Sequence, residues 1–206
     1  MKVVQIPVGN MQNFSYIIYD EKNDIGAIID PSWDLEKIHT FLERNNISVK
    51  YIVNTHTHFD HVLGNEQMAE ITKAKIIQHE KSTHRKDISV RDDEIISIGE
   101  INLRVLYTPG HSEDSICLIL NKESVITGDT LFVGNCGRVD LPGSDPEIMY
   151  NSLYFKVAKL DDSLVVYPGH NYGITPTSTI LNEKLNNPML NFKTKDAFLK
   201  YMVNDD

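Results

Sequence analysis

The chain has 206 residues, which suits one domain of ordinary size. Hydrophobic residues make up 41% and charged residues 24%, a balance that indicates a globular protein and excludes disordered, collagenous and coiled-coil classes. The 29 acidic and 20 basic residues give a formal charge of −9, the wrong sign for a protein that binds nucleic acid through its phosphates. No linker-like stretch interrupts the chain, so we expect a single domain over residues 1–206.

The sequence contains no sign of a membrane segment or a secretory signal. Its apolar runs are far shorter than the roughly 20 residues that a membrane helix needs, and the N-terminus lacks the apolar core and cleavage site of a signal peptide. Cys117 and Cys136 are too sparse for a disulfide framework, and we expect both to be free thiols. These features predict a cytoplasmic protein without a membrane partner.

Runs rich in β-branched and aromatic residues, separated by turn signals, predict the strands. In chain order they cover residues 15–19, 25–29, 49–53, 75–78, 94–98, 101–107, 115–120, 124–127 and 164–167. Apolar residues at helical spacing predict helices over residues 35–42 behind a cap at Ser32, over 149–160 behind Asp145, and over 195–202. The charged stretch 80–94 is expected to be a solvated connection. Strands interspersed with helices predict a layered α/β or α+β fold.

The most informative stretch is Thr-His-Thr-His-Phe-Asp-His at residues 55–61, directly after a predicted strand. It contains four candidate ligands, namely His56, His58, Asp60 and His61. Imidazoles bind zinc, iron and similar ions well, whereas crowding them at a strand end gains nothing from packing alone. The alternative is a polar loop in which histidines cluster by chance.

Three further polar residues follow predicted strands after short turns that contain Pro or Gly: His111, Asp129 and His170. All these segments would present their side chains just beyond the carboxyl ends of strands, where open sheets commonly have their sites. No such context surrounds the remaining histidines, which we expect to be structural: His39, His79 and His84.

The number of candidate ligands favours two divalent ions over one. A catalytic zinc takes about three protein ligands and keeps a position for water. With Asp129 as a bridge, one ion would be held by His56, His58 and His111, and the other by Asp60, His61 and His170, although the count alone does not fix this partition. Such a pair would hold a bridging water, lower its pKa toward ~7 and polarise a carbonyl, which predicts metal-assisted hydrolysis. Zinc is expected first, and the ligand types also permit iron or manganese.

The motif His-x-His-x-Asp-His at residues 56–61 resembles the signature of the metallo-β-lactamase superfamily, and later family ligands match His111, Asp129 and His170 in order. The resemblance covers nearly the whole chain. It implies a four-layer αβ/βα sandwich, a metal site in the cleft between the sheets, and the ligand partition given above.

Residues 127–132 and 134–138 look like the glyoxalase II branch, the hydroxyacylglutathione hydrolases, and the related persulfide dioxygenases. Residues 167–172, 178–180 and 187–188 are similar to the compact prokaryotic members. Long glyoxalase II enzymes carry an additional helical C-terminal region that supplies basic residues to glutathione. This chain stops at Asp206, a departure that bears on whether glutathione is the carrier thiol.

Two further residues are candidates for substrate binding. Arg138 lies nine residues beyond Asp129 in a Gly-rich loop, where it could meet a substrate carboxylate with paired donors; the alternative is a surface ion pair. Tyr172 follows His170 by two residues and could contact the same substrate; the alternative is a packing tyrosine.

Three functions remain in competition. The first is a glyoxalase II-like hydrolase of a small-molecule thioester, of glutathione type or another, in which catalytic Asp60 orients the nucleophile. The second is a persulfide dioxygenase with one iron held by His56, His111 and Asp129. The third is a non-catalytic metal-binding protein on the same scaffold, which the loss of a ligand would favour, and no ligand is missing. The sequence leaves open whether the protein forms a homo-oligomer.

Overall fold

Two six-stranded sheets form the middle of the fold, in a computed structural model that describes residues 1–204. The last two residues of the predicted domain, 205 and 206, lie outside the described residues. The first sheet contains, in spatial order, β1 (Lys2–Val8), β2 (Asn13–Asp20), β3 (Ile25–Ile29), β4 (Ser48–Val53), β5 (Lys75–His79) and β6 (Ile88–Val90). β1 to β3 are antiparallel, and β3 to β6 are parallel.

The second sheet combines an antiparallel meander with one parallel pair. Its strands are β7 (Ile95–Ile98), β8 (Ile101–Tyr107), β9 (Ile116–Leu120), β10 (Ser124–Gly128), β13 (Val165–Pro168) and β14 (Ser178–Thr179), and β13 lies parallel to β10. A separate hairpin joins β11 (Leu131–Phe132) to β12 (Asn135–Cys136). The carboxyl ends of β10 and β13 therefore lie side by side.

Helices cover the outer face of each sheet. They are α1 (Leu35–Arg44), α3 (Asn65–Thr72), α4 (Pro146–Asn151), α5 (Ile180–Asn186) and α6 (Lys195–Asn204), whereas the single-turn helix α2 (Phe59–Val62) carries candidate ligands at the edge of the sandwich. None of the described helices has the length and apolar character needed to cross a membrane.

Three apolar clusters hold these four layers together. Between the sheets, Ile18 and Ile29 of the first sheet share one cluster with Leu103 and Leu118 of the second. A second cluster joins α1 and α3 to the outside of the first sheet, and a third joins α4, α5 and α6 to the outside of the second. Since each fully buried aliphatic side chain contributes about 1.5–3 kcal/mol, these interfaces carry most of the stability. The predicted four-layer αβ/βα sandwich is confirmed.

Several predicted elements differ from the structure. The helix expected over 149–160 behind Asp145 is present but changes type along its length: α4 ends at Asn151, a π-helical turn follows over Ser152–Lys156, and a 3-10 turn ends it over Val157–Lys159. The helix expected behind Ser32 begins at Leu35, and Asp34, not Ser32, occupies the position before it, with a left-handed φ of 52° and no capping hydrogen bond from its side chain. The stretch 80–94 is not wholly a solvated connection, because β6 lies within it and pairs with β5 at the sheet edge. Three residues are too few to give a periodic signal.

Candidate metal centre

Strand ends bring the candidate ligands to one edge of the sandwich. β4 ends at Val53 and leads directly into His56 and His58, while the single-turn helix α2 carries Asp60 and His61. On the second sheet, Asp129 follows β10, and His170 follows β13. The structure therefore brings all seven predicted ligands into one cluster, in overlapping groups whose ligand atoms lie within 4.8 Å of one another.

The first group consists of three imidazoles whose nitrogens face one another. Nδ1 of His58 lies 3.0 Å from Nε2 of His56 and 2.9 Å from Nε2 of His111. His56 and His111 are buried, and His58 is half-buried.

The second group lies beside the first and includes both carboxylates. Nε2 of His61 and Nε2 of His170 are 3.3 Å apart, and Oδ2 of Asp60 lies 3.5 and 3.4 Å from them. Asp129 spans both groups, because its Oδ2 lies 3.2 Å from Nε2 of His170 and 3.5 Å from Nε2 of His111.

Hydrogen bonds on the outside of the cluster fix the tautomers of three of these histidines. Nδ1 of His111 donates to the carbonyl oxygen of Arg138 at 2.8 Å, and Nδ1 of His170 donates to the carbonyl oxygen of Met11 at 2.9 Å. Nδ1 of His61 donates to Oδ2 of Asp30 at 3.0 Å. Because each Nδ1 donates outward, each Nε2 faces the centre, where it can bind a metal ion once it is deprotonated.

The environment inside the cluster fits a cation. Among the described residues, Oδ1 of Asp129 is one of few buried side-chain atoms that accept no hydrogen bond, and a buried acceptor without a partner costs about 1–3 kcal/mol. Imidazole nitrogens that face one another and a buried carboxylate oxygen without a hydrogen bond are groups that a metal ion satisfies, since imidazole and carboxylate are zinc and iron ligands. The residues present therefore fit a metal site.

Burial and the close contacts between imidazoles and carboxylates also shift the pKa values of the cluster. Burial and the neighbouring imidazoles, His61 foremost, hold the pKa of His56 well below its usual range. Burial raises the pKa of Asp129, but His61 and His170 outweigh it and bring that pKa down to about 2. Burial lowers the pKa of His170, yet Asp129 and Asp60 outweigh it and raise that pKa to about 10. Without a metal, the two carboxylates stay ionised, and the protonated His170 imidazole balances part of their charge.

Two residues that the sequence analysis missed support the ligands. Asp30, at the end of β3, accepts hydrogen bonds from Thr55 N at 2.8 Å and Thr55 Oγ1 at 2.6 Å, in addition to that from His61. Asn13 donates through Nδ2 to Oδ2 of Asp60 at 2.9 Å. Asp30 directly follows a strand, as the ligands do, so its position could have identified it in the sequence as a residue of the site. Nothing in the sequence around Asn13 indicates such a role.

A cavity of about 670 Å³ opens onto the cluster and contains both predicted substrate-binding residues in its lining. Tyr172 stacks on His170 with ring centroids 4.7 Å apart and packs its ring against Phe132. Arg138 is exposed, and its guanidinium forms a two-pronged ion pair with Asp140, in which Nε and Nη2 donate to the two carboxylate oxygens. The surface ion pair that the sequence left as an alternative for Arg138 is thus present at the cavity mouth.

A sandwich of this topology with a histidine and aspartate cluster at its edge defines a metallohydrolase fold. The chain belongs to the metallo-beta-lactamase superfamily, since residues 8–86 and 80–170 match that family. The resemblance expected from the signature motif is therefore confirmed, and the family binds metal ions at such clusters.

Three proteins of known name show what the chain is similar to within this family. The probable polyketide biosynthesis zinc-dependent hydrolase PksB of Bacillus subtilis is 32% identical over 195 residues, which cover 92% of the chain and 86% of that protein. The hydroxyacylglutathione hydrolase of Pelagibacter ubique is 39% identical over 164 residues, which cover 78% of the chain and 67% of that protein. The crystal structure of ETHE1 from Myxococcus xanthus has a TM-score of 0.95 at 28% identity, covering 100% of the chain and 92% of that protein.

These relatives fit the predicted branch of glyoxalase II and persulfide dioxygenases. The similarity to the hydroxyacylglutathione hydrolases is partial in extent, because the match covers only 66% of the probable Schizosaccharomyces pombe enzyme and 64% of the one from Francisella tularensis subsp. novicida. Family membership supports a hydrolytic enzyme.

Proposed function

We propose that the protein is a thioester hydrolase that uses two divalent ions, with zinc the first candidate. The observation that carries the proposal is the convergence of five imidazoles and two carboxylates in overlapping groups, among them a buried Asp129 oxygen that accepts no hydrogen bond. Relatives named hydroxyacylglutathione hydrolase and zinc-dependent hydrolase support it. His56, His58 and His111 would hold one ion and Asp60, His61 and His170 the other, with Asp129 between them.

The bound ions would supply a nucleophilic water at neutral pH and polarise the thioester carbonyl. The chain's own residues do the positioning. Asp60 is ionised, because His170, His61 and the Asn13 amide outweigh the effect of burial and hold its pKa below the usual range. Its carboxylate can therefore accept a hydrogen bond from the attacking water and orient it toward the carbonyl carbon.

The walls of the cavity complete the site. Phe132 is buried against His170 and Tyr172, with ring centroids 5.7 and 5.3 Å away, so it fixes the Tyr172 ring over the entrance. A substrate held beneath that ring would be partly shielded from bulk water, which strengthens electrostatic interactions inside the cavity.

The test is metal analysis followed by turnover. Protein loaded with zinc is expected to bind two equivalents and to hydrolyse S-lactoylglutathione or a simple acyl thioester. His111→Ala should abolish turnover, whereas His84→Ala, which removes an exposed imidazole outside the cluster, should not. A protein with both ions bound that cleaves no thioester would exclude this function.

A mononuclear-iron persulfide dioxygenase is the second candidate, and the fit of the whole chain to ETHE1 favours it. In that case His56, His111 and Asp129 would hold one iron, a set of two imidazoles and one carboxylate that suits ferrous iron. Oxygen consumption with glutathione persulfide and ferrous iron tests it. No oxygen uptake, together with two bound zinc ions and thioester cleavage, would exclude the dioxygenase.

A further inference from the structure

The cavity over the candidate metal centre has a polar floor and an apolar wall. The floor consists of His58, Asp60, His111, Asp129 and His170. The wall consists of Met11, Phe59, Phe132, Leu141, Pro142 and Tyr172. Ligand cavities commonly have this combination, in which apolar side chains supply affinity and a few polar groups fix orientation.

The wall exposes large apolar groups to solvent beside the site. Phe59 is 61% exposed, Tyr172 is 52% exposed and Met11 is 39% exposed. Trp33 supports Phe59 from the side, with ring centroids 6.2 Å apart. Exposed apolar surface concentrated around a cavity mouth indicates a surface that an apolar ligand covers.

Outside the candidate metal centre, the cavity wall offers one basic side chain that could bind a carboxylate. Arg138 is the one cation that carries a fixed positive charge among the residues lining it, all of which belong to the described part of the chain. Asp140 engages that guanidinium through Nε at 2.5 Å and also through Nη2. Because Asp140 is only two residues away, it competes with any substrate carboxylate at high effective concentration.

We infer that the cavity selects thioesters of an apolar acyl group on a thiol carrier without carboxylates, an inference that rests on the thioester hydrolase function proposed above. An acyl chain packs along Leu141 and Pro142, and an amide-bearing, uncharged thiol occupies the mouth beside Tyr172. The two carboxylates of glutathione would instead have to compete with the Asp140 carboxylate for the Arg138 guanidinium.

A matched set of four substrates separates the acyl group from the carrier: acetyl and hexanoyl thioesters of N-acetylcysteamine and of glutathione. Each methylene that leaves water is expected to raise kcat/KM by about fourfold, so hexanoyl should exceed acetyl by at least about 20-fold on either carrier. N-acetylcysteamine thioesters should exceed the glutathione thioesters by at least about tenfold. Equal or better turnover of the glutathione series, or no gain with acyl length, would overturn the inference.

Two variants test the residues that carry the argument. Leu141→Asn, which keeps the branched shape and replaces the apolar surface by an amide, should lower the hexanoyl to acetyl ratio at least about fourfold. Asp140→Asn removes the carboxylate that competes for the Arg138 guanidinium and should raise kcat/KM for the glutathione thioesters about fivefold or more relative to the N-acetylcysteamine thioesters. No change in the glutathione series on Asp140→Asn would contradict the role assigned to this pair.

Binding of uncleavable analogues distinguishes failure of this inference from failure of the proposed function. S-hexyl-N-acetylcysteamine and S-hexylglutathione are thioethers, and their binding can be followed through Trp33, the single tryptophan of the chain. Tighter binding of the uncharged thioether without turnover of any thioester would support the cavity's selectivity and exclude the hydrolase. Turnover of thioesters with no preference between the two thioethers would exclude the selectivity alone.

Discussion

Asp30 and His61 form a buried pair in which Nδ1 of the imidazole donates to Oδ2 of the carboxylate at 3.0 Å. Both side chains are almost fully buried, with 2% and 1% of their surface exposed. The pair fixes His61 with Nε2 toward the cluster, and it joins the end of β3 to the helix α2. Outer carboxylates of this kind commonly orient a metal-binding imidazole and raise its basicity.

Replacing Asp30 should weaken metal binding more than it weakens the fold. Asp30→Asn removes the negative charge behind His61 and is expected to lower zinc affinity about 10- to 100-fold, measured by competition with a chromogenic chelator. Asp20→Asn is the matched control, because Asp20 is also buried and hydrogen-bonded but lies apart from the cluster. Equal effects of the two substitutions on zinc affinity would contradict the role of Asp30.

The amide of Asn13 positions Asp60. Its Nδ2 donates both to Oδ2 of Asp60 at 2.9 Å and to the Asp60 carbonyl oxygen at 3.1 Å. Asn13→Asp places a second carboxylate there, and we expect kcat to fall at least about tenfold, because like charges raise the pKa of one carboxyl group. Asn23→Ala, which removes the amide donor to buried Asp20, should leave kcat unchanged. Wild-type kcat and zinc content in Asn13→Asp would refute this role.

Metal uptake should release protons, because His170 is protonated in the metal-free protein. Its pKa, raised to about 10 by Asp129 and Asp60 against the effect of burial, lies far above neutral pH. Zinc affinity should therefore rise as the pH increases from 7 toward 10, since the metal displaces the proton from Nε2. Calorimetric titration in buffers of different ionisation enthalpy measures the number of protons released. A binding enthalpy that is the same in every buffer would contradict the prediction.

The same pKa has a consequence for stability. A histidine whose pKa is higher in the folded state stabilises that state most below its unfolded pKa of about 6.5. The contribution of His170 is then lost as the pH rises toward 10. The metal-free protein should accordingly lose stability across this range, and urea unfolding at several pH values can measure it.

The two thiols should be inert in the native protein. Burial raises the pKa of Cys117 to about 11 and that of Cys136 to about 12, so almost no thiolate forms at neutral pH. We expect no reaction with Ellman's reagent before unfolding and two reactive thiols afterwards. Cys136→Ala should retain thioester turnover although Cys136 borders the cavity. Rapid labelling of the folded protein would show that a thiol is accessible and ionised.

Gly169 leaves room for the Asp129 carboxylate. A methyl group at this position would overlap Oδ1 of Asp129 and would lie 3.0 Å from the Gly128 carbonyl carbon. Gly169→Ala should therefore displace the carboxylate, lower zinc affinity at least about tenfold and cost about 1–3 kcal/mol of unfolding free energy through overpacking. Chelator competition and urea unfolding measure the two effects. A variant that binds zinc as tightly as the wild type would show that Asp129 is not held against Gly169.

Much of the cluster could be predicted from the chain because its ligands follow strands directly. His56 and His58 come three and five residues after the end of β4, Asp129 follows β10 at once, and His170 follows β13 by two residues. A run of apolar β-branched residues predicts each strand, so the strand ends can be located in the sequence. Parallel neighbours then bring such ends to one edge.

What the sequence determined by itself was the identity of the candidate ligands and the layered architecture, because both depend on local pattern. The tertiary structure alone decided how those ligands are held and what surrounds them. Asn13 reaches Asp60 across 47 residues, and Met11 reaches His170 across 159. Arg138 forms an ion pair with Asp140, only two residues away, but the sequence does not determine the side-chain rotamers that bring the two groups together. Such contacts have no periodicity in the chain, since they arise where separate strands and loops meet after folding.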